Sequence, residues 1–353
     1  MTQRANVTQS TQNAMRIPGE WAHHESVWLA WPAAKDLWEE DLPAAQKEFA
    51  DLCRAIQISE KSEHLQILVR TEAEELEARA GLKGLRATFH RIPYGDIWLR
   101  DTAPIFECDP ETGAQKANVF QFNGWGGKYL LPGDDRVAAR IAETSKLPLQ
   151  KWDFVLEGGS IEMDGVGNLL TTEECLLNPN RNPGVTRESI EEKLRESLGV
   201  KYFLWLKRGL LLDHTDGHID NLARFVRPNE IVIMKPSSKD DIQYEVLEEI
   251  RALFHETAKA GCGLMKVHEI TSPGSVYDSE REIMPASYMN FYIANESVVV
   301  PQYGTPNDAE ALRILQSLFK TRKVIGSSSK AILTGGGSFH CITQQVPSLE
   351  GRL

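Results

Sequence analysis

Two short apolar runs joined by a polar turn recur along this chain, and that recurrence limits its fold more than any other feature. The pattern is found in APIFECDPETGAQKANVFQF, GSIEMDGVGNLLTTEECLLN, HIDNLARFVRPNEIVIM and MNFYIANESVVVPQY. Each turn carries Gly, Pro, Asn or Asp, the residues that accept hairpin backbone conformations. Helical stretches lie between the hairpins. The clearest is TRESIEEKLRESLG, where Thr186 can cap, Ile190, Leu194 and Leu198 form a stripe, and Gly199 terminates. Others are AAQKEFADLCRAI, DDIQYEVLEEIRALFHETAKAG and NDAEALRILQSLF, and short strands follow at 64–69, 201–206 and 323–327. Strand, helix and hairpin thus alternate with a period of roughly 60 to 70 residues, about five times over. A unit of that size cannot bury its own faces, so the pattern predicts an α/β radial repeat that closes on itself. An open doubly wound sheet would carry a Gly-rich phosphate turn after an early strand, and the sequence has none.

No Pro/Gly/Ser-rich linker interrupts the pattern, so residues 15–353 read as one catalytic domain, although 353 residues would by length alone suggest two. The first residues, MTQRANVTQSTQNAM, read as a disordered polar tail over 1–14, with Met15 a candidate start. They hold no apolar core of the signal-peptide kind, and no later run is long enough to span a membrane. A formal charge of -11, with no Lys/Arg-rich block, argues against nucleic acid and favours a cationic partner. Cysteines 53, 108, 175, 262 and 341 are odd in number, scattered and never in a CxxC pair. That usage predicts neither disulfides nor a zinc knuckle, and a reducing, cytoplasmic setting. The helical stretch 240–260 is a candidate surface for a homo-oligomer.

Four polar constellations stand where a unit passes from loop to strand: DIWLRDTAP (96–104), LEGGS (156–160), DHTDGHIDN (213–221) and GGGSFHC (335–341). An extended GHID would project His218 and Asp220 from one face. By the same geometry His340 and Cys341, read after a KAILT strand, face opposite ways, which leaves His218 as the base for Cys341. Glu157 precedes two glycines at a strand end, a place where backbone must approach something closely. Asp101 next to Arg100 could be an ordinary surface ion pair, but Trp98 and Trp125 nearby form the aromatic walls that suit a flat cation. A lone cysteine is most often a small buried hydrophobe, yet only Cys341 follows a glycine triplet. A thiol, a histidine and three carboxylates do not suit peptide hydrolysis, whose oxyanion needs donors around it. Anions surround a reacting carbon that is itself positive, and a guanidinium, planar and forked, offers N–H pairs to two carboxylates.

The set WLRD, LEGGS with LLTTEECLLNPNRNP, DGHIDN, ASYMNFYIAN with VPQYG, and GGGSFHCITQQ resembles the agmatine deiminases and the related bacterial peptidyl-arginine deiminases of the guanidine-modifying superfamily. The likeness runs in order from IPGEW at residue 17 to QQVP at 347. It implies a five-fold pseudosymmetric α/β-propeller, a pentein built of ββαβ-type repeats around a central pocket. It also implies roles: Cys341 as nucleophile, His218 as acid and base, Asp101 and Asp220 as guanidinium clamps, and Glu157 holding the guanidinium and assisting His218. Trp98, His214 and Gly335, Gly336 and Gly337 are the expected substrate contacts, and neither a metal nor an organic cofactor is implied. The chain departs from the family pattern at His214, where an acidic residue is usual, and at Ser338 and Phe339, where Asn-Ile is commoner.

Hydrolysis of agmatine to N-carbamoylputrescine is the leading expectation. Deimination of peptidyl arginine comes second, and amidino transfer to an amine uses the same thiol chemistry. A polyamine-binding protein would have no use for the thiol, and a metal hydrolase built on His218, Asp220 and His214 would not need it. A free thiol titrates at about 8.5, and neighbouring carboxylates raise that, so the empty site should hold Cys341 protonated until a guanidinium reverses the local field.

Overall fold

The computed structural model describes residues 15–109, 111–260 and 266–348; the expected tail at 1–14 and Cys262 lie outside them. Each predicted hairpin is an antiparallel pair. Ile105–Cys108 pairs with Gln115–Gln121, Glu162–Met163 with Asn168–Thr172, Ala223–Arg227 with Glu230–Lys235, and Tyr292–Ile293 with Ser297–Gln302. A helix then returns the chain to a third strand parallel to the second, because parallel pairing needs a crossover. Those third strands are Leu149–Val155, Tyr202–Leu206, Lys266–Thr271 and Lys323–Ser328.

The fifth unit is assembled from the two ends of the chain. Gln344–Pro347 runs antiparallel to His24–Ala30, which pairs in parallel with His64–Val69, and Ala87–Arg91 extends that sheet. Five ββαβ units result among the described residues, the α/β-propeller that the repeat pattern and the resemblance predict. Neighbouring units bury one another: helix Leu42–Ile56 packs on Ser297–Gln302 and Lys323–Ser328, and helix Asp308–Leu318 packs on both Lys323–Ser328 and Lys266–Thr271. No described helix is long and apolar enough to cross a membrane.

Helix Arg187–Leu198 forms as its sequence predicts. Thr186 and Ser189 exchange side-chain to backbone hydrogen bonds in a capping box, and Gly199 closes the helix at φ 69°. Its stripe of Ile190, Leu194 and Leu198 is buried, each side chain contributing about 1.5–3 kcal/mol. The helix Asp134–Thr144 was not expected; its buried face, Val137, Ala138, Ile141 and Ala142, is half alanine and gives a weak apolar stripe. KAILT, expected as a strand, is the short helix Lys330–Thr334. The backbone N–H groups of Lys330 and Ile332 donate to the Glu48 carboxylate at 2.9 and 3.0 Å. A carboxylate from a distant helix thus satisfies the free donors of a helix start, a partner that local sequence does not reveal.

Candidate active site

The segments that lead into the first strand of each unit converge, and Gly159 marks the meeting point. A Cβ there would lie 2.5 Å from His218 Nδ1, 2.9 Å from Asp101 Oδ1 and 3.2 Å from Asp220 Oδ2. Only glycine fits, and its N–H donates to Asp101 Oδ1 at 2.9 Å. This is the close backbone approach expected after Glu157.

Glu157 follows the strand Leu149–Val155 and opens a tight turn over Gly158–Ser160. Its two oxygens accept Arg181 Nε at 2.7 Å and Nη2 at 3.0 Å, and Oε2 also lies 2.8 Å from His218 Nε2. Burial works to raise this carboxyl, but the histidine and the guanidinium hold it below the usual range. Both oxygens are therefore committed to Arg181 and His218. Of the two parts expected of Glu157, its hydrogen bonds fit support of His218.

His218 and Asp220 reach the centre by a different route from the one expected. The segment is not extended; His218 precedes a single turn over Ile219–Asn221. Nδ1 of His218 lies 3.8 Å from Asp101 Oδ2 and has no hydrogen-bond partner. Burial alone would lower its pKa, yet Asp101, Cys175 and Glu157 push it well above the ordinary imidazole value. Asp101 itself accepts the Trp125 indole N–H at 2.9 Å, and burial raises its carboxyl.

Cys341 Sγ lies 3.5 Å from Asp220 Oδ2 and accepts the Asn290 side-chain N–H at 3.0 Å. The Asn290 side-chain oxygen accepts the Cys341 backbone N–H at 3.2 Å, so one amide fixes both ends of the residue. Burial, then Asp220 and Asp101, push the thiol well above its usual value. His340 is turned from the thiol: its Nδ1 meets Asp220 Oδ2 at 2.7 Å and its Nε2 meets Glu20 Oε2 at 2.8 Å. Asp220 Oδ1 stays buried without a partner.

Cys341 and Asp101 open onto a cavity of about 200 Å³ walled by Trp38, Trp98, Trp125, Tyr129 and the glycine triplet. The triplet serves those walls as much as any ligand. A Cβ on Gly335 would meet Trp38 and Trp98 at 2.8 Å, and one on Gly337 would lie 2.6 Å from Trp98 and 3.2 Å from Sγ. Asp96 accepts both indole N–H groups, from Trp38 at 2.8 Å and Trp98 at 2.9 Å, and burial pushes its pKa up to about 6. At the exposed mouth His214 stacks on Tyr129, ring centroids 6.1 Å apart. A second crevice, lined by Glu20, Arg100, Glu162 and His340, lies behind these groups and does not include Cys341.

His214 at the mouth and buried His218 do not form one metal cluster. Glu157, Cys175 and His218 do place ligand atoms within 4.8 Å of one another, but the Arg181 guanidinium already holds Glu157 by two bonds, and a cation beside it would be repelled.

Asn290, Arg181, Glu20 and Asp96 were not singled out from sequence. Asn290 had a usable signal, since it stands before the first strand of its unit, where the other four constellations stand in theirs. Arg181 and Glu20 stand inside the quoted NPNRNP and IPGEW, but nothing local gave either a role, because what marks them is a carboxylate partner 24 residues away for Arg181 and a histidine 320 residues away for Glu20.

The model of the Porphyromonas-type peptidyl-arginine deiminase family matches residues 16–347. An agmatine deiminase of Stutzerimonas stutzeri is 38% identical over 96% of each chain. The agmatine deiminase of Enterococcus faecalis superposes with a TM-score of 0.88 at 33% identity, covering 96% of this chain and 97% of that one. DDAH from Pseudomonas aeruginosa, 12% identical, shares the fold, with a TM-score of 0.50 over 92% of this chain and 99% of that one.

Proposed function

The chain belongs to the Porphyromonas-type peptidyl-arginine deiminase family, and from that membership we propose that it is an agmatine deiminase, hydrolysing agmatine to N-carbamoylputrescine and ammonia. The observation that carries this reading is a buried, unpartnered acceptor, Asp220 Oδ1, on the carboxylate whose other oxygen lies 3.5 Å from the Cys341 thiol. An acceptor left unpaired in a protein interior costs free energy, and a guanidinium, which only donates, would remove that cost when bound against Asp101 and Asp220.

In this reading the bound guanidinium lowers the thiol pKa and the thiol proton passes to solvent. The thiolate attacks the guanidinium carbon, and the Asn290 N–H stabilises the sulfur charge. His218 gives its proton to the departing nitrogen, and ammonia leaves a thiouronium on Cys341. Water adds as His218 takes its proton. The C–S bond then breaks, the product becomes a ureide, and the thiol recovers a proton. Charge balances overall: guanidinium and water give a neutral ureide and ammonium. The aminobutyl tail lies along Trp38 and Trp98 toward Tyr129 and His214. Residues 15–353 act as one unit, and the free thiols of Cys53, Cys108, Cys175 and Cys341 support a cytoplasmic setting.

Purified protein is incubated with agmatine, free arginine and an arginine peptide, with and without chelator, and ureide and ammonia are measured. Chelator-insensitive turnover of agmatine alone is expected. Turnover of the peptide alone would move the activity to protein-arginine deimination, and no ureide from any of them would refute both.

A further inference from the structure

Behind Asp220 lies a buried charged assembly to which the reaction sequence above assigns no part. Glu20 Oε2 lies 2.8 Å from His340 Nε2, 2.9 Å from Arg224 Nη2 and 3.5 Å from Arg100 Nη2. Its other oxygen accepts the Ile293 N–H at 2.8 Å. Arg224 is anchored in turn by Glu162 at 3.0 Å and by the Phe291 carbonyl at 2.6 Å. Glu20, His340 and Arg224 are all at least nine-tenths buried. Arg100 Nη2 apart, which has no hydrogen-bond partner, the assembly is paired throughout and has little freedom to move.

We propose that His340, braced from behind by Glu20, is a positioning residue that sets both the orientation and the effective charge of Asp220. Three observations lead there. His340 occupies Oδ2 of Asp220, leaving Oδ1 as the oxygen available to the guanidinium. That same Oδ2 is the one 3.5 Å from Cys341 Sγ. A carboxylate only accepts, so His340 donates to it, and an oxygen engaged at 2.7 Å repels a nearby thiolate less than a bare one would. His340 and Cys341, adjacent in sequence, thus hold one oxygen from two sides. The histidine does not take the thiol proton; it makes the carboxylate beside the thiol a better neighbour for a thiolate.

The test separates the two ring nitrogens. His340→Asn keeps an N–H near the Nδ1 position, facing Asp220, whereas His340→Gln keeps one near Nε2, facing Glu20. Two quantities are read in each variant: KM against kcat for agmatine, and the rate at which iodoacetamide alkylates Cys341 across pH. The Gln variant is expected to raise KM about tenfold or more and to slow alkylation by a similar factor at neutral pH. The Asn variant should stay within about threefold on both. Glu20→Gln, isosteric but uncharged, should fall between them. Equal behaviour of the Asn and Gln variants, or a fall in kcat with KM and alkylation unchanged, would overturn the proposal. The substrate half of this inference rests on the deiminase reading, but alkylation does not. If no guanidine is turned over by the parent protein, that reading fails while the alkylation comparison still decides the part played by His340.

Discussion

Cys341 and Cys175 are two buried thiols beside different carboxylates of one site, and burial raises the pKa of both. Cys175 Sγ lies 3.8 Å from Glu157 Oε2, whose carboxylate is already committed to Arg181 and His218. Cys341 Sγ lies 3.5 Å from an Asp220 with one oxygen unpartnered, and it faces a cavity. Residue type, burial and the direction of the pKa shift do not distinguish them. Unfilled space and unfilled hydrogen-bonding capacity do, and both lie on the side of Cys341.

The largest expected effect tests that contrast directly. Cys341→Ala should lower ureide formation at least about 10⁴-fold, while Cys175→Ala should stay within about tenfold. Comparable losses from the two would erase the distinction. Next in size is the supporting side. Arg181→Gln removes the bidentate cation from Glu157, leaving it His218 and the weak Cys175 contact, and kcat should fall about 10²–10³-fold with a smaller change in KM. Lys at 181 should not restore it, because a point charge cannot reproduce the bidentate bond.

On the cavity side, Trp125→Phe removes the N–H that Asp101 accepts together with part of the cavity wall, and should raise KM about three- to tenfold with kcat little altered. A change in kcat alone would mean that Asp101 acts in chemistry beyond clamping.

The smallest effect concerns an orphaned atom outside the site. Asp134 Oδ2 is buried without a partner and lines neither crevice, and burial pushes this carboxyl up to about 7. The raised folded pKa means the folded state binds the extra proton, so stability is lost as pH rises from about 4 to about 7. Asp134→Asn should therefore gain about 1–3 kcal/mol over the parent at pH 8, shrinking toward pH 4, as read by urea unfolding. No gain at pH 8 would show that the buried carboxylate is compensated despite its unpartnered oxygen.

Much of this was legible because repeats and strong local motifs need only neighbours along the chain. The four hairpins and helix Arg187–Leu198 form where turn residues, apolar stripes and caps place them. The conformations of KAILT and GHID were not legible, since Glu48 caps the first and the second turns within a packed centre. Gly335, Gly336 and Gly337 line the cavity as expected substrate contacts would, but their packing against the Trp38 and Trp98 indoles, His214 and Cys341 was not legible.

The amino-acid sequence by itself determined that five units must close on one another, that a thiol, a histidine and carboxylates stand where units pass into strands, and that their charges suit a cation. It could do so because periodicity and residue chemistry are local properties. Only the tertiary structure decided which atoms are already spent. Arg181 saturates Glu157, His340 takes one oxygen of Asp220, and Asn290 holds the thiol, each across 24 to 120 residues of chain. Hydrogen-bonding capacity is consumed by whatever folding brings within about 3 Å, and no spacing along a sequence records that distance.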